Sequence, residues 1–264
     1  MSDVRWALIL GASSGFGAAA ARAFAAEGYN ILGVHLDRRS AMPKVEALRG
    51  ELLKTGRQVR LFNSNAADDD NRQAIIAEIC DILSEHGGRI GVLLHSLAFG
   101  SLRPLVPDPA EPGAILTRRQ LDMTLNVMAN SLVYWCQDLL AAELLDKARI
   151  FAMTSSGGHI VWPKYGPVSA AKAALESHIR QLSMELAPYG HTANAILAGV
   201  TDTPALARIP GASSLMEQAA ARNPHRRLTR PEDVAACLIA LSQPGTYWMT
   251  GNIIRVDGGE DVCA

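Results

Sequence analysis

The 264-residue sequence lacks the marks of several protein classes. It has no charge imbalance: Lys plus Arg number 25 and Asp plus Glu 26, a net charge of −1. Nucleic-acid binding runs on phosphate neutralisation by excess cations, so a nucleic-acid partner is not expected. No apolar run reaches the roughly 18 residues of a membrane span. The Ala- and Leu-rich stretch from Val4 to Ala26 does not read as a secretion signal, because Asp3 is acidic and Gly11, Ser13, Ser14, Gly15 and Gly17 interrupt it. Cys80, Cys136, Cys237 and Cys263 are scattered with no CxxC pair, which reads as free thiols in a reducing cytoplasm. His95, His159, His178, His191 and His225 show no ligand spacing, and Asp68-Asp69-Asp70 lacks the glycine and distant Glu of a calcium loop. No metal site is expected.

What is there is a chain with 48% apolar and 19% charged residues, long enough to bury a core without staples. Short β-like runs alternate with longer helical patterns. Strands are expected at Val4–Leu10, Asn30–Leu36, Val59–Asn63, Ile90–His95, Arg149–Thr154, Thr192–Leu197 and Ile253–Val256. Helices are expected at Gly17–Glu27, Lys44–Thr55, Asp68–His86, from a Thr117 cap to about Leu145, at Val168–Ala187 and from Pro231 to Ser242. This alternation predicts one α/β domain over 1–264, doubly wound, with a mostly parallel seven-stranded sheet. Residues 99–116 hold Pro104, Pro107, Pro109 and Pro112 and read as an irregular loop. Residues 200–230, with Pro204, Pro210, Gly211 and Pro224, read as a lid over a site or a packing insertion.

Gly11-Ala12-Ser13-Ser14-Gly15-Phe16-Gly17 joins the first strand to the first helix. Glycines there permit a sharp turn and close approach of a pyrophosphate, and the helix N-terminus offers N–H groups to it. At the end of the second strand, an acid favours NAD and an arginine NADP. The residues are mixed: His35-Leu36-Asp37-Arg38-Arg39. Arg38 and Arg39 favour NADPH over NADH, unless they merely face solvent. Further along, Tyr165 stands at a helix entrance marked by Pro167, and Lys172 follows seven residues later. At roughly 100° per residue both reach one face, some 10 Å apart along the axis. A cation and a helix N-terminus can together stabilise a phenolate, though an isolated Tyr…Lys pair is more often structural.

The loop Gly11–Gly17, Ser155 after strand five, the Tyr165…Lys172 helix and the closing Val256-Asp257-Gly258-Gly259 resemble the short-chain dehydrogenase/reductase family over nearly the whole chain. Most members carry Tyr four residues before Lys; that position here is Val168. The seven-residue spacing, His95-Ser96-Leu97-Ala98-Phe99 and Ala170–Glu176 resemble the enoyl-[acyl-carrier-protein] reductase branch. Gly28–Ile31, Leu102–Pro104 and Gly199–Thr203 are similar to its NADPH-dependent type III enzymes. Leu10, Ala198 and Ser155 depart from common family residues (Thr, Pro and a second Tyr), which leaves the substrate chain open.

The resemblance implies that Tyr165 hydrogen-bonds a thioester carbonyl and that Lys172 holds the nicotinamide ribose. Ser155 assists the carbonyl or shapes the pocket. Asn126 orders a water chain to the lysine or only bends its helix. The resemblance implies cofactor contacts at Gly11, Ser13, Ser14, Gly15, Phe16, Gly17, Arg38, Arg39, Asn65, Ala66, Ser96, Leu97, Ala98, Lys172, Gly199, Thr201 and Thr203. The expected activity is reduction of a trans-2-enoyl thioester of acyl carrier protein or coenzyme A by NADPH, as in fatty acid biosynthesis. The rivals are a carbonyl reductase or alcohol dehydrogenase of the same fold, and a non-catalytic NADP-binding protein. The resemblance also implies a homotetramer, which the long helices at 118–145 and 168–187 favour. Arg222, Arg226 and Arg227 either greet carrier-protein acids or coenzyme A phosphate, or are solvated charge.

Overall fold

β1 (Arg5–Leu10) is buried at every position from Trp6 onward. A strand without polar alternation is one covered on both faces. The structure is a computed structural model that describes residues 4–109, 113 and 115–263; Asp3 and Pro112, used above, lie outside the described residues. After β1 come α1 (Gly15–Ala26), β2 (Asn30–His35), α2 (Met42–Leu53), β3 (Val59–Asn63), α3 (Asp69–His86) and β4 (Arg89–His95). Then follow α4 (Arg118–Leu125), α5 (Ser131–Ala141), β5 (Leu145–Ser155), α6 (Gly166–Glu185), β6 (Thr192–Ala198), α7 (Ala212–Arg222), α8 (Pro231–Leu241) and β7 (Ile253–Val256).

The seven strands form one sheet in the order β3-β2-β1-β4-β5-β6-β7, and every pairing among them is parallel. The expectation of a mostly parallel, doubly wound sheet is met and exceeded. One core packs α3, α5 and α6 against the sheet through Ile79, Trp135, Leu139, Leu175 and Ile179. The other packs α1, α2 and α8 through Phe24, Leu48, Val234 and Leu238. β1 pairs with β2 on one side and β4 on the other. The winding reverses there, so a crevice opens beyond the carboxyl ends of these strands.

Three elements differ from expectation. The helix expected from Thr117 to about Leu145 begins at the Thr117 capping box but is broken by a π turn at Asn126–Asn130 and ends at Ala141. Hydroxyls flank the break: Thr124 Oγ1 donates to Gln120 O and Ser131 Oγ to Val127 O, a local competition for carbonyls that disturbs a regular helix. β5 starts four residues early, because Leu145 pairs with Ile90 before the register shifts to Arg149 opposite Val92. Asp146 and Lys147 on that irregular start hide it from a periodicity reading. The segment 200–230 contains α7, entered through Gly211 in the left-handed conformation.

Candidate active site

The crevice has a phosphate-side wall made mainly of backbone. A Cβ on Gly17 would collide with the Gly11 carbonyl oxygen, and one on Gly11 with the Ser96 carbonyl oxygen. Ser14 caps α1 in extended conformation, but its side chain makes no capping hydrogen bond. The first N–H groups of α1 therefore have no side-chain acceptor among the described residues, as an anion site at a helix start requires. Thr203 Cγ2 would lie 3.4 Å from a Cβ on Gly15, so the chain after β6 crosses this loop. Leu97 packs near Gly11. Asn65 is exposed, and its Oδ1 accepts from Ala67 N at 3.1 Å. Thr201 Oγ1 donates to Gly199 O at 2.9 Å.

The other wall is made of side chains. Tyr165 is the residue at which α6 begins, in a helical conformation. Its ring fills the space that a Cβ on Gly157 would need. Burial raises the phenol's pKa, and the Ser155 side chain beside it pulls the other way. Ser155 Oγ is itself buried without a hydrogen-bond partner among the described residues, so the hydroxyl is near the phenol yet outside bonding geometry. Lys172 is buried, and its Nζ donates to Met153 O at 2.6 Å. Burial lowers its pKa to about 8, while the Glu176 carboxylate one turn on favours the charged form. Glu176 is held by Thr154 Oγ1, which donates to it at 2.6 Å.

Asn126 opens the π turn, and its Nδ2 donates to Ala67 O at 3.0 Å. Trp135 Nε1 donates to Ala66 O at 2.8 Å. The α4–α5 unit is thereby tied to the loop after β3 that carries Asn65 and Ala66. Ser13, Gly15, Phe16 and Gly199 are half-buried along the crevice, whereas Ser14, Ala98, Arg38 and Arg39 are exposed. Neither Arg38 nor Arg39 pairs with another described side chain.

Arg222 at the end of α7 is half-buried, while Arg226 and Arg227 beyond it are exposed, and all three bond protein groups. Arg222 pairs with buried Glu260 at 3.5 Å, Arg227 with Asp233 at 2.6 Å, and Arg226 Nη1 donates to Ala221 O at 2.5 Å. His159, with no role expected from its sequence, pairs with Asp261, which also pairs with Arg255. That pair pins the loop between Ser155 and Tyr165 to the chain's C-terminal part.

The family described as Enoyl-(Acyl carrier protein) reductase matches residues 11–260. The chain belongs to this family, within the short-chain dehydrogenases/reductases. Among its relatives is enoyl-[acyl-carrier-protein] reductase [NADH] FabI of Aquifex aeolicus, 28% identical over 235 residues, covering 89% of this chain and 84% of that protein. The FabI of Rickettsia felis is 32% identical over 193 residues, covering 71% and 70%. The 1-cyclohexenylcarbonyl-CoA reductase of Streptomyces collinus is 26% identical over 260 residues, covering 97% and 87%. The crystal structure of the Aquifex enzyme superposes with a TM-score of 0.81 at 24% identity over 99% of this chain and 98% of that one, which speaks for the shared fold. As a member of this family the chain is an NAD(P)H-dependent oxidoreductase.

The expectation of NADPH is corrected by these relatives: the Aquifex and Rickettsia enzymes carry NADH in their names. The physical reason sits at the end of β2. Asp37 lies twenty residues beyond Gly17, the spacing of a ribose-binding acid. Its carboxylate is fixed by His35 Nδ1 at 2.9 Å, while its backbone N and O bond the Asn63 side chain at 2.9 and 3.1 Å. A fixed carboxylate repels a 2′-phosphate and accepts from a 2′-hydroxyl. In the sequence Asp37 stands beside two arginines, and only the fold shows that the carboxylate is anchored and the guanidiniums are in solvent. Also missed were Gly157, which seats the phenol, and Glu176, which faces the lysine. The signal for Glu176 was its i+4 spacing from Lys172.

Proposed function

We propose that the protein reduces the carbon–carbon double bond of an enoyl thioester, with NADH as the reductant. The observation that carries this reading is the Tyr165 phenol at the entrance of α6, against Ser155 and Gly157, on the helix that buries Lys172 seven residues on. The crevice suits a dinucleotide: a loop with no room for Cβ atoms, an uncapped helix start and an anchored acid at the ribose end. Gly11–Gly17 would hold the pyrophosphate, Asn65 and Ala66 the adenine side, Ser96 to Ala98 the path between, and Gly199, Thr201 and Thr203 the nicotinamide side. Bound there, the cofactor supplies a hydride to the β-carbon.

As the β-carbon is reduced the thioester oxygen gains enolate charge, which is discharged when the α-carbon takes a proton from water and the C=O bond re-forms. Tyr165 donates its O–H to that oxygen, and the bond strengthens as the charge develops, which is where a donor accelerates a reaction. Lys172, charged in its buried site, binds the ribose and lowers the cost of negative charge at the phenol. Ser155 shapes the pocket beside the phenol, and Asn126 fixes the helix behind the site. Loops flanking Tyr165 expose Phe99, Leu105, Val106, Ile160 and Val161, an apolar rim for an acyl chain. Residues 200–230 act as the lid: Trp162 Nε1 donates to Pro210 O at 3.4 Å, and Thr203 reaches the phosphate loop. Exposed Tyr247, Trp248 and Met249 beside edge strand β7 support self-association, which gel filtration reads directly.

Mixing the protein and NADH with crotonyl and with acetoacetyl thioesters tests the reaction. NADH is consumed with the enoyl compound. Consumption with the keto compound alone establishes the second reading, a carbonyl reductase, which the nearness of Ser155 to Tyr165 favours.

A further inference from the structure

His95 ends β4, is fully buried, and takes no part in the chemistry above. In register it lies opposite Ala152 of β5, next to Met153, whose carbonyl accepts from Lys172. Its Nε2 is 2.9 Å from Ser131 Oγ, and that Oγ is 2.9 Å from Val127 O in the π turn. A hydroxyl has one proton to give. With it donated to the Val127 carbonyl, the Ser131 oxygen accepts from His95, which fixes the Nε2–H tautomer. Nδ1 is then a lone-pair acceptor, and it has no hydrogen-bond partner among the described residues.

The ring stays neutral: burial, and then the nearby Lys172 ammonium, push its pKa down to about 3, outweighing the backbone carbonyls of His95 and Val127 beside the ring, which favour the charged form. The ammonium has three donors, and the Met153 carbonyl takes one. One buried corner thus holds an acceptor without a donor and a cation with donors to spare, each costly to leave unsatisfied.

We propose that His95 is a positioning residue whose Nδ1 is linked through one bridging water to the Lys172 ammonium, the water donating to Nδ1 and accepting from the ammonium, and fixes how the ammonium faces the cofactor ribose. Ser131 and the π turn hold the imidazole in turn. This rests on the reading of Lys172 as a cofactor ligand. The competing role is purely structural, with His95 tying β4 to α5 through Ser131.

Two substitutions order these roles oppositely. His95→Asn keeps a carbonyl oxygen near the Nδ1 position and drops the Ser131 bond. His95→Gln reaches Ser131 with its amide nitrogen and leaves no acceptor where Nδ1 stood. By fluorescence titration, NADH binding weakens about tenfold in His95→Gln and stays within about twofold of the parent in His95→Asn. The reverse order, equal losses, or no loss in either overturns the proposal. Nitrogen NMR of the histidine-labelled parent protein without cofactor gives a second readout. It shows His95 as the Nε2–H tautomer, with its Nδ1 signal moved from that of a free unprotonated nitrogen by the accepted bond; an unmoved signal or an Nδ1–H tautomer overturns it. A parent protein that binds NADH yet leaves crotonyl thioester unreduced sinks the proposed reaction alone, while one that does not bind NADH sinks both.

Discussion

The two walls of the crevice are built from different materials. The phosphate wall is backbone: Gly11 and Gly17 approach other main-chain atoms closely, and α1 begins without a side-chain cap. The chemical wall is side chain: half-buried Tyr165 beside Ser155, and buried Lys172 near the Thr154–Glu176 pair, line the end of β5 and the start of α6. Phosphate binding needs many fixed N–H groups, which glycine-rich backbone provides at any sequence around it. Proton and charge control needs groups whose pKa values are shifted, and only burial beside chosen partners does that. The first wall should therefore fail through sterics, and the second through chemistry.

The largest effect should fall on the chemical wall. Tyr165→Phe is expected to lower turnover about 10²- to 10³-fold while NADH titration stays unchanged, since only the donor oxygen is lost. A variant with near-normal rate would move the chemistry to another residue. On the phosphate wall, Gly17→Ala pushes a methyl into the Gly11 carbonyl. NADH affinity should fall tenfold or more, together with a stability loss of about 1–3 kcal/mol in denaturant titration. Retained affinity would show that the wall is less rigid than described.

At the ribose end, Asp37→Asn removes the charge that repels a 2′-phosphate. The ratio of NADPH to NADH affinity should rise about tenfold, and an unchanged ratio would pass selectivity to Arg38 and Arg39. The pH profile separates the walls again. Burial holds Lys172 near a pKa of about 8, so its ammonium is present below that value and lost above it. NADH affinity should be flat up to about pH 8 and decline beyond, and in Lys172→Met the decline should vanish. The smallest effect is expected for Arg39→Ala, within about 0.5 kcal/mol in stability and twofold in NADH affinity, because Arg39 is exposed and pairs with no described side chain.

Much of the fold was legible because strand and helix periods alternate cleanly along an apolar chain. The helix through Asn126 was not, because Thr124, Ser131 and the Asn126 tie to Ala67 redirect its hydrogen bonds in ways that periodicity ignores. Nor was α7, whose Ala- and Ser-rich run between Gly211 and Pro224 reads as loop. The spacing of Tyr165 and Lys172 was readable as a shared helix face. Their environment was not: the Gly157 seat, the Thr154–Glu176 bond and the buried His95 come from elements far apart in the chain.

By itself the sequence determined where most strands and helices lie, the glycine turn before α1 and the pair of side chains on α6, since each depends on residues near one another along the chain. The tertiary structure alone decided which charge is anchored at the ribose end, how far burial shifts Lys172 and which acceptors surround it. Those are properties of desolvation and of partners brought in from other elements, and a linear string does not carry them.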